Sequence, residues 1–314
     1  MGRLPYDVLA VGDAILDLVT PPLPPGPPGD RQSHVGGFSF LPGGNATNFA
    51  LAFAALGGRA RFVGCVGRDW AGDRLREAYR RSRVDARLRT STSKATGMTI
   101  AVTSVDASRH LITALGANAD LRLAHVPASW IAGARNVHRA GYWWATGMIG
   151  APTARLLARA QKGGATTSFD VATDPSGWTA SNREGVLAAL PHVDVFFGTE
   201  EEIEGVAGAA TLEAAVDEFL RSGVREVVVH RGARGSSLFA RDGTASARAY
   251  PVAVANPTGC GDVFNAAYTL ASLTDASWRS RLEFANAAAA WHLERVDKPY
   301  PTAQDVRERF RIRR

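Results

Sequence analysis

Only two cysteines, three lysines and three methionines occur in 314 residues, and no apolar run approaches the roughly 18 residues of a membrane span. Cys65 and Cys260 lie far apart and belong to no CxxC or His/Cys ligand spacing. That excludes a disulfide framework and a structural zinc site, and it points to a reducing cytoplasm. No aromatic-studded basic stripe is present either. Although 36 basic residues against 30 acidic ones leave a charge of +6, the arginines are scattered. The one dense cluster is terminal: Arg307, Arg309, Arg311, Arg313 and Arg314. Nucleic-acid and membrane binding are therefore not expected. The N-terminus, MGRLPYDVLAVGD, runs straight into a strand pattern, so a cleavable signal is not expected.

What is present is a globular chain long enough to bury a large core. Short apolar runs alternate with longer amphipathic segments, the rhythm of βα units around a parallel sheet. The runs at 6–12, 60–67, 134–141, 165–171, 193–198 and 225–232 read as buried strands. Residues 45–56, 72–83, 151–162, 181–190, 211–222, 262–273 and 278–294 read as helices. Two stretches interrupt the pattern. The run PPLPPGPPGD at 21–30 reads as an exposed polyproline-like connection. Residues 96–104 and 109–115, separated by a polar turn at Asp106 to Ser108, read as an antiparallel hairpin. No internal repeat or composition shift marks a second independent domain.

Three constellations carry chemistry. In LPGGNATNFALAFAALGG, Gly43 and Gly44 permit close backbone approach, while Asn45 and Asn48 place amides at a helix start. The segment suits a polyhydroxylated ligand or, equally, a glycine turn before an Asn-capped helix. In VANPTGCGDVFNAAY, a strand-like run meets Thr258, Gly259, Cys260, Gly261 and Asp262 ahead of a helix. Open backbone N–H groups at a helix N-terminus attract an anion such as phosphate. A carboxylate there either favours the helix's first turn or takes a proton from an incoming hydroxyl. Asp13 and Asp17 follow the first strand, at the sheet edge where ligands collect. The acidic run Glu200, Glu201, Glu202 and Glu204 reads mostly as a solvated helix face.

With both glycine motifs considered together, the chain resembles the ribokinase-like, or PfkB, family of carbohydrate kinases over nearly its whole length. GGNATNFALAFAALGGRARFVGCVGRDWAG is similar to that family's first signature and NPTGCGDVFNAAY to its second. The resemblance implies a three-layer α/β/α sandwich with a mostly parallel sheet. It implies a single domain, 1–314, with a small discontinuous β lid formed by about 14–41 and 95–118. Asp262 then falls on the catalytic base, and Gly259, Cys260 and Gly261 on the anion hole. Asp17, Gly43, Gly44 and Asn48 fall on substrate-binding positions, with Asn45 and Asp13 beside them. Thr258, Gly232, Arg234 and Gly235 fall on the nucleotide side. Glu201 matches the glutamate of the family's NxxE motif, which acts through water on the magnesium accompanying ATP.

The departures are specific. Gly198 stands where the NxxE asparagine is expected, and Asn256-Pro257 replaces the Asp-Thr that opens the second signature, so activation by a monovalent cation is not expected. Ile15 and Asn45 differ from the residues of ribokinase itself. The implied activity is ATP-dependent phosphorylation of a hydroxymethyl group on a small sugar. A nucleoside kinase of the same family and a non-catalytic sugar or nucleotide sensor are the alternatives. A homodimer through the lid edges is expected.

Overall fold

A computed structural model describes residues 6–23, 32–104, 109–295 and 300–312. Along the chain the elements run β1 (Tyr6–Val11), β2 (Ile15–Val19), β3 (Ser39–Gly43), α1 (Asn45–Ala55), β4 (Ala60–Val66), α2 (Trp70–Arg81) and β5 (Asp85–Thr90). Next come β6 (Gly97–Thr103), β7 (Arg109–Ala114), α3 (Ala128–Ala132), β8 (Ala134–Arg139), α4 (Ala151–Lys162), β9 (Thr166–Asp170) and α5 (Ala180–Leu187). The remainder is β10 (Val195–Thr199), α6 (Glu200–Ala207), α7 (Leu212–Arg221), β11 (Glu226–His230), β12 (Ser236–Ala240), β13 (Gly243–Ala247), α8 (Cys260–Ser272), α9 (Trp278–Leu293) and α10 (Ala303–Phe310).

Nine strands form the main sheet in the order β13-β12-β11-β10-β9-β8-β1-β4-β5. Every neighbouring pair from β11 to β5 is parallel, and only the β11–β12 and β12–β13 pairs at one edge are antiparallel. The continuous apolar runs follow from burial on both faces. Val8 and Ala10 of β1 pack into one helical layer, whereas Leu9 and Val11 pack into the other. Val228 of β11 joins the first layer and Val227 and Val229 the second. Helix α7 shows how a layer is held. Leu212, Ala215, Val216 and Phe219 line one stripe, and Thr211 caps the helix by accepting from Ala214 N. Burying each large side chain of that stripe contributes about 1.5–3 kcal/mol.

Helices α1 and α8 differ, because residues 46–53 and 262–269 are buried on every side. These two packed helices form the floor beneath the glycine motifs. A second, four-stranded sheet of order β3-β2-β6-β7 stands apart from the main one. Its β6–β7 pair is the antiparallel hairpin expected from 96–115. The partner strand β3 lies at Ser39–Gly43, at the end of the 14–41 stretch expected for the lid. The expected polyproline stretch from residue 24 to 30 and the hairpin turn at Asp106 to Ser108 lie outside the described residues. The strand-like run before Thr258 is not a strand. Ala255 N and Asn256 N instead donate to Leu293 O, which ties this loop to the end of α9.

Candidate active site

Asp262 sits in the first turn of α8, only 4 % exposed, where two adjoining cavities meet. The cavities, of about 360 and 280 Å³, share Asn45, Ala172, Glu202, Gly259 and Asp262 as walls. Asn48 Nδ2 donates to Asp262 Oδ2 at 2.8 Å and Asn45 Nδ2 to Oδ1 at 3.1 Å. Burial raises its pKa well above the ordinary carboxylate value, the nearby Asp170 charge pushes the same way, and the two asparagine amides oppose both. Ahead of it Gly259 adopts φ +82°, a left-handed conformation that glycine tolerates and that turns the chain into α8. Cys260 N reaches Pro257 O at 3.4 Å and Val263 N bonds Gly259 O at 3.0 Å. Among the described residues, no acceptor meets the Gly261 and Asp262 amides. Orphan donors of this kind suit an anion.

The smaller cavity lies against the second sheet. Alternation along the strands sends Ile15, Asp17 and Val19 of β2, Thr99 and Ala101 of β6, and Leu111 and Thr113 of β7 to its wall. Asn48, Gly44, Thr258 and the indole of Trp144 complete it. The larger cavity is lined by Gly232, Gly235, Cys260, Gly261, His230 and Asp170, among others. Asp170 ends β9, and Asn265 Nδ2 donates to its Oδ2 at 2.6 Å while Ala172 N donates to Oδ1 at 2.8 Å. Burial, then the neighbouring Glu202 charge, pushes Asp170 up to about 7. The same Asn265 accepts from His230 Nε2 at 2.9 Å, and burial keeps that imidazole below its usual pKa.

Most expected residues converge here, namely Asp262, Gly259, Cys260, Gly261, Asn45, Asn48, Gly44, Asp17, Gly232, Gly235 and Thr258. Thr258 faces the smaller cavity only, rather than the glycine-turn side. Four assignments are corrected. Asp13 is fully buried and lines neither cavity; its two oxygens accept from Asn45 N and Ala46 N, so it caps α1. Gly43 makes room for a side chain rather than a ligand, since a Cβ there would lie 2.3 Å from Asp17 Oδ2. Arg234 is exposed and paired with Glu200, which also holds Arg231 at 2.7 Å. Glu201 is exposed on α6, and Glu202 is the glutamate that enters both cavities.

The last correction is one residue of helix phase. Thr199 caps α6, its hydroxyl accepting from Glu202 N, and Glu202 Oε2 accepts from Thr199 N at 2.8 Å. This capping box turns the residue three after the cap inward, so Glu202 rather than Glu201 faces the cavities. The spacing T-x-x-E was readable in the sequence and is the signal that finds Glu202. Asp170 carries the same strand-end signal as Asp13. Asn265 and Trp144 carry none.

The architecture and the two-cavity cleft define an α/β fold built around a helix start whose Gly261 and Asp262 amides lack acceptors among the described residues. A fructokinase with bound ATP from Xylella fastidiosa shares this fold at a TM-score of 0.81, with 23% identity over 96% of this chain and 97% of that one. The profile of the pfkB family carbohydrate kinase matches residues 6–302. The chain belongs to that family, and is an enzyme of its class, a phosphotransferase with an alcohol acceptor. Among its relatives, a nucleoside kinase of Methanothermobacter thermautotrophicus is 28% identical over 92% of this chain and 89% of its own length. Fructokinase-1 of Oryza sativa subsp. japonica is 26% identical over 90% of each. No helix among the described residues is long and apolar enough to cross a membrane.

Proposed function

We propose that this protein transfers the γ-phosphoryl group of ATP to a hydroxymethyl group of a small sugar or sugar-like acceptor. The observation that carries this reading is the position of Asp262 at the junction of the two cavities. The smaller cavity takes the acceptor, with Asp17 and Asn48 hydrogen-bonding its hydroxyls, and the glycine-turn cavity takes the nucleotide. Asp262 removes the acceptor hydroxyl proton. That oxygen forms the new bond to the γ-phosphorus as the bond from phosphorus to the β–γ bridging oxygen breaks, and ADP leaves. The Gly261 and Asp262 amides stabilise the charge on the transferred group. Closure of the small sheet over the acceptor as a lid excludes water.

The donor set fits Mg²⁺. Glu202 and Asp170 supply hard oxygens in the nucleotide cavity, and among the described residues no group of three metal-ligating side chains could hold an ion alone, so the triphosphate would share it. Such a site holds hydrated Mg²⁺ through a carboxylate and the triphosphate, and the ion supplies charge neutralisation to the phosphoryl group when bound. Glu202 is the residue that would hold it, through water. Asn256 spends its Oδ1 on Thr258 N at 2.9 Å, so the loop is braced by a neutral amide, in keeping with independence of monovalent cations.

A second reading is favoured by Trp144, Leu111 and Val19, which give the acceptor cavity an apolar wall suited to a nucleobase. An ADP-release screen across sugars and nucleosides decides between the two acceptors. Release with neither class would support a ligand sensor and overturn the kinase reading. On the outer face of the small sheet Phe40, Leu18, Ile100 and Ile112 pair across four strands. Phe40, Ile100 and Ile112 are each at least 40 % exposed. This row supports a homodimer through the lid; sedimentation velocity showing a monomer at micromolar concentration would remove it.

A further inference from the structure

Behind Asp262 lies a pair of side chains that the reaction does not itself use. Tyr300 donates its hydroxyl to Asn48 Oδ1 at 2.9 Å, and Asn48 Nδ2 donates to Asp262 Oδ2 at 2.8 Å. The direction of each bond is set by the carboxylate, which only accepts, so the NH₂ end of Asn48 is committed to it and the oxygen end needs a donor. Tyr300 stacks on His292 at 5.8 Å with the rings 5° from parallel. His292 is fully buried, and its Nε2 bonds Thr258 O at 2.9 Å. Both side chains close on Gly259, where a Cβ would lie 3.0 Å from Asn48 Nδ2 and 3.7 Å from His292 Nε2. Tyr300 and His292 therefore back the base on one side and the anion-binding loop on the other.

We infer that Tyr300 is a positioning residue for the general base, acting through Asn48. This rests on the reading of Asp262 as the base. Asn48 is only 4 % exposed, so loss of the hydroxyl leaves its oxygen unpaired in a site that water does not freely reach. The unpaired state is unfavourable and favours rotation of the amide away from Asp262. The carboxylate then loses one of its two side-chain donors and the orientation that proton transfer needs.

The test is a double-mutant cycle on the full-length enzyme with ATP and the best acceptor from the screen. Turnover is expressed per ATP-binding site, so unfolded enzyme does not enter. Tyr300→Phe is expected to lower kcat on the order of tenfold while the KM for ATP stays unchanged. In an Asn48→Ala background the same substitution is expected to change kcat less than about twofold. An equal factor in both backgrounds, an unchanged kcat in the single variant, or a parallel rise in the ATP KM would each overturn the inference. Asp262→Ala is assayed alongside. Full turnover there sinks the general-base reading itself, whereas a dead Asp262→Ala with an unaffected Tyr300→Phe removes only the role of Tyr300.

Discussion

Replacing Gly43 by alanine should weaken acceptor binding without unfolding the protein. Gly43 ends β3 opposite Ile15 of β2, and a Cβ at this position would lie 2.3 Å from Asp17 Oδ2 and 2.4 Å from its Cγ. Ordinary contact begins near 3.4 Å, so the carboxylate must retreat by about 1 Å. It is the end of a rotatable side chain facing a cavity, so it moves more readily than the backbone. A hydrogen bond of about 2.8 Å stretched by that amount is no longer one. Losing a bond to a charged group costs about 1.5–3 kcal/mol, which is roughly 10- to 150-fold in kcat/KM for the acceptor. Steady-state ADP release with the acceptor varied, then ATP varied, separates the two sites. The expected result is a loss confined to the acceptor, reproduced by Asp17→Ala and not deepened when both changes are combined. An unchanged acceptor kcat/KM, or an equal loss for ATP, would refute the geometric reasoning.

The helix phase of α6 predicts that Glu202→Gln raises the Mg²⁺ concentration for half-maximal activity on the order of tenfold or more, while Glu201→Gln leaves it within experimental error; titration of MgCl₂ against the rate checks both. Stability also depends on the raised acids. Groups held below their usual pKa, such as Asp7, Asp69 and Asp120, contribute stabilisation that is full above about pH 4, is lost as pH falls below it and adds no slope above it. The lowered His138, His230 and His125 raise stability only until the unfolded histidine value, near 6.5, is passed. Above the ordinary carboxylate value, Asp170, pushed up to about 7, and the raised Asp262 bind more protons folded than unfolded, so their contribution to stability falls as pH rises. Thermal melts should show Asp262→Ala gaining on the wild type as pH rises above the ordinary carboxylate value. A constant difference would contradict the raised pKa.

The main sheet is legible in the sequence where strands are buried on both faces. β1, β8 and β11 are short apolar runs because helices cover both their sides. β5 escapes notice because it is an edge strand. Its sequence DARLRT alternates exposed charge with half-buried positions and lacks a continuous apolar run. β12 and β13 are rich in serine and alanine, with little of the β-branched bulk that marks strands. Within the site, the glycine motifs announce themselves because their chemistry is local, with loop, helix start and carboxylate inside five residues. The contacts that tune Asp262 are not local. Asn48 reaches it across 214 positions, Tyr300 reaches Asn48 across 252, and Asn265 reaches Asp170 across 95. Pairings set by tertiary packing leave no spacing to read. The Glu201 assignment fails for a smaller reason, since the inward glutamate is fixed by the cap at Thr199 rather than by the acidic run.

In the proposed reaction Asp262, on the wall that the two cavities share, is the pivot, and its removal is the direct measurement. With the acceptor identified by screening, kcat of Asp262→Ala should fall by a factor on the order of 10² or more while ATP still binds with near wild-type affinity. Turnover within a few-fold of the wild type in a folded, ATP-binding variant would contradict the account.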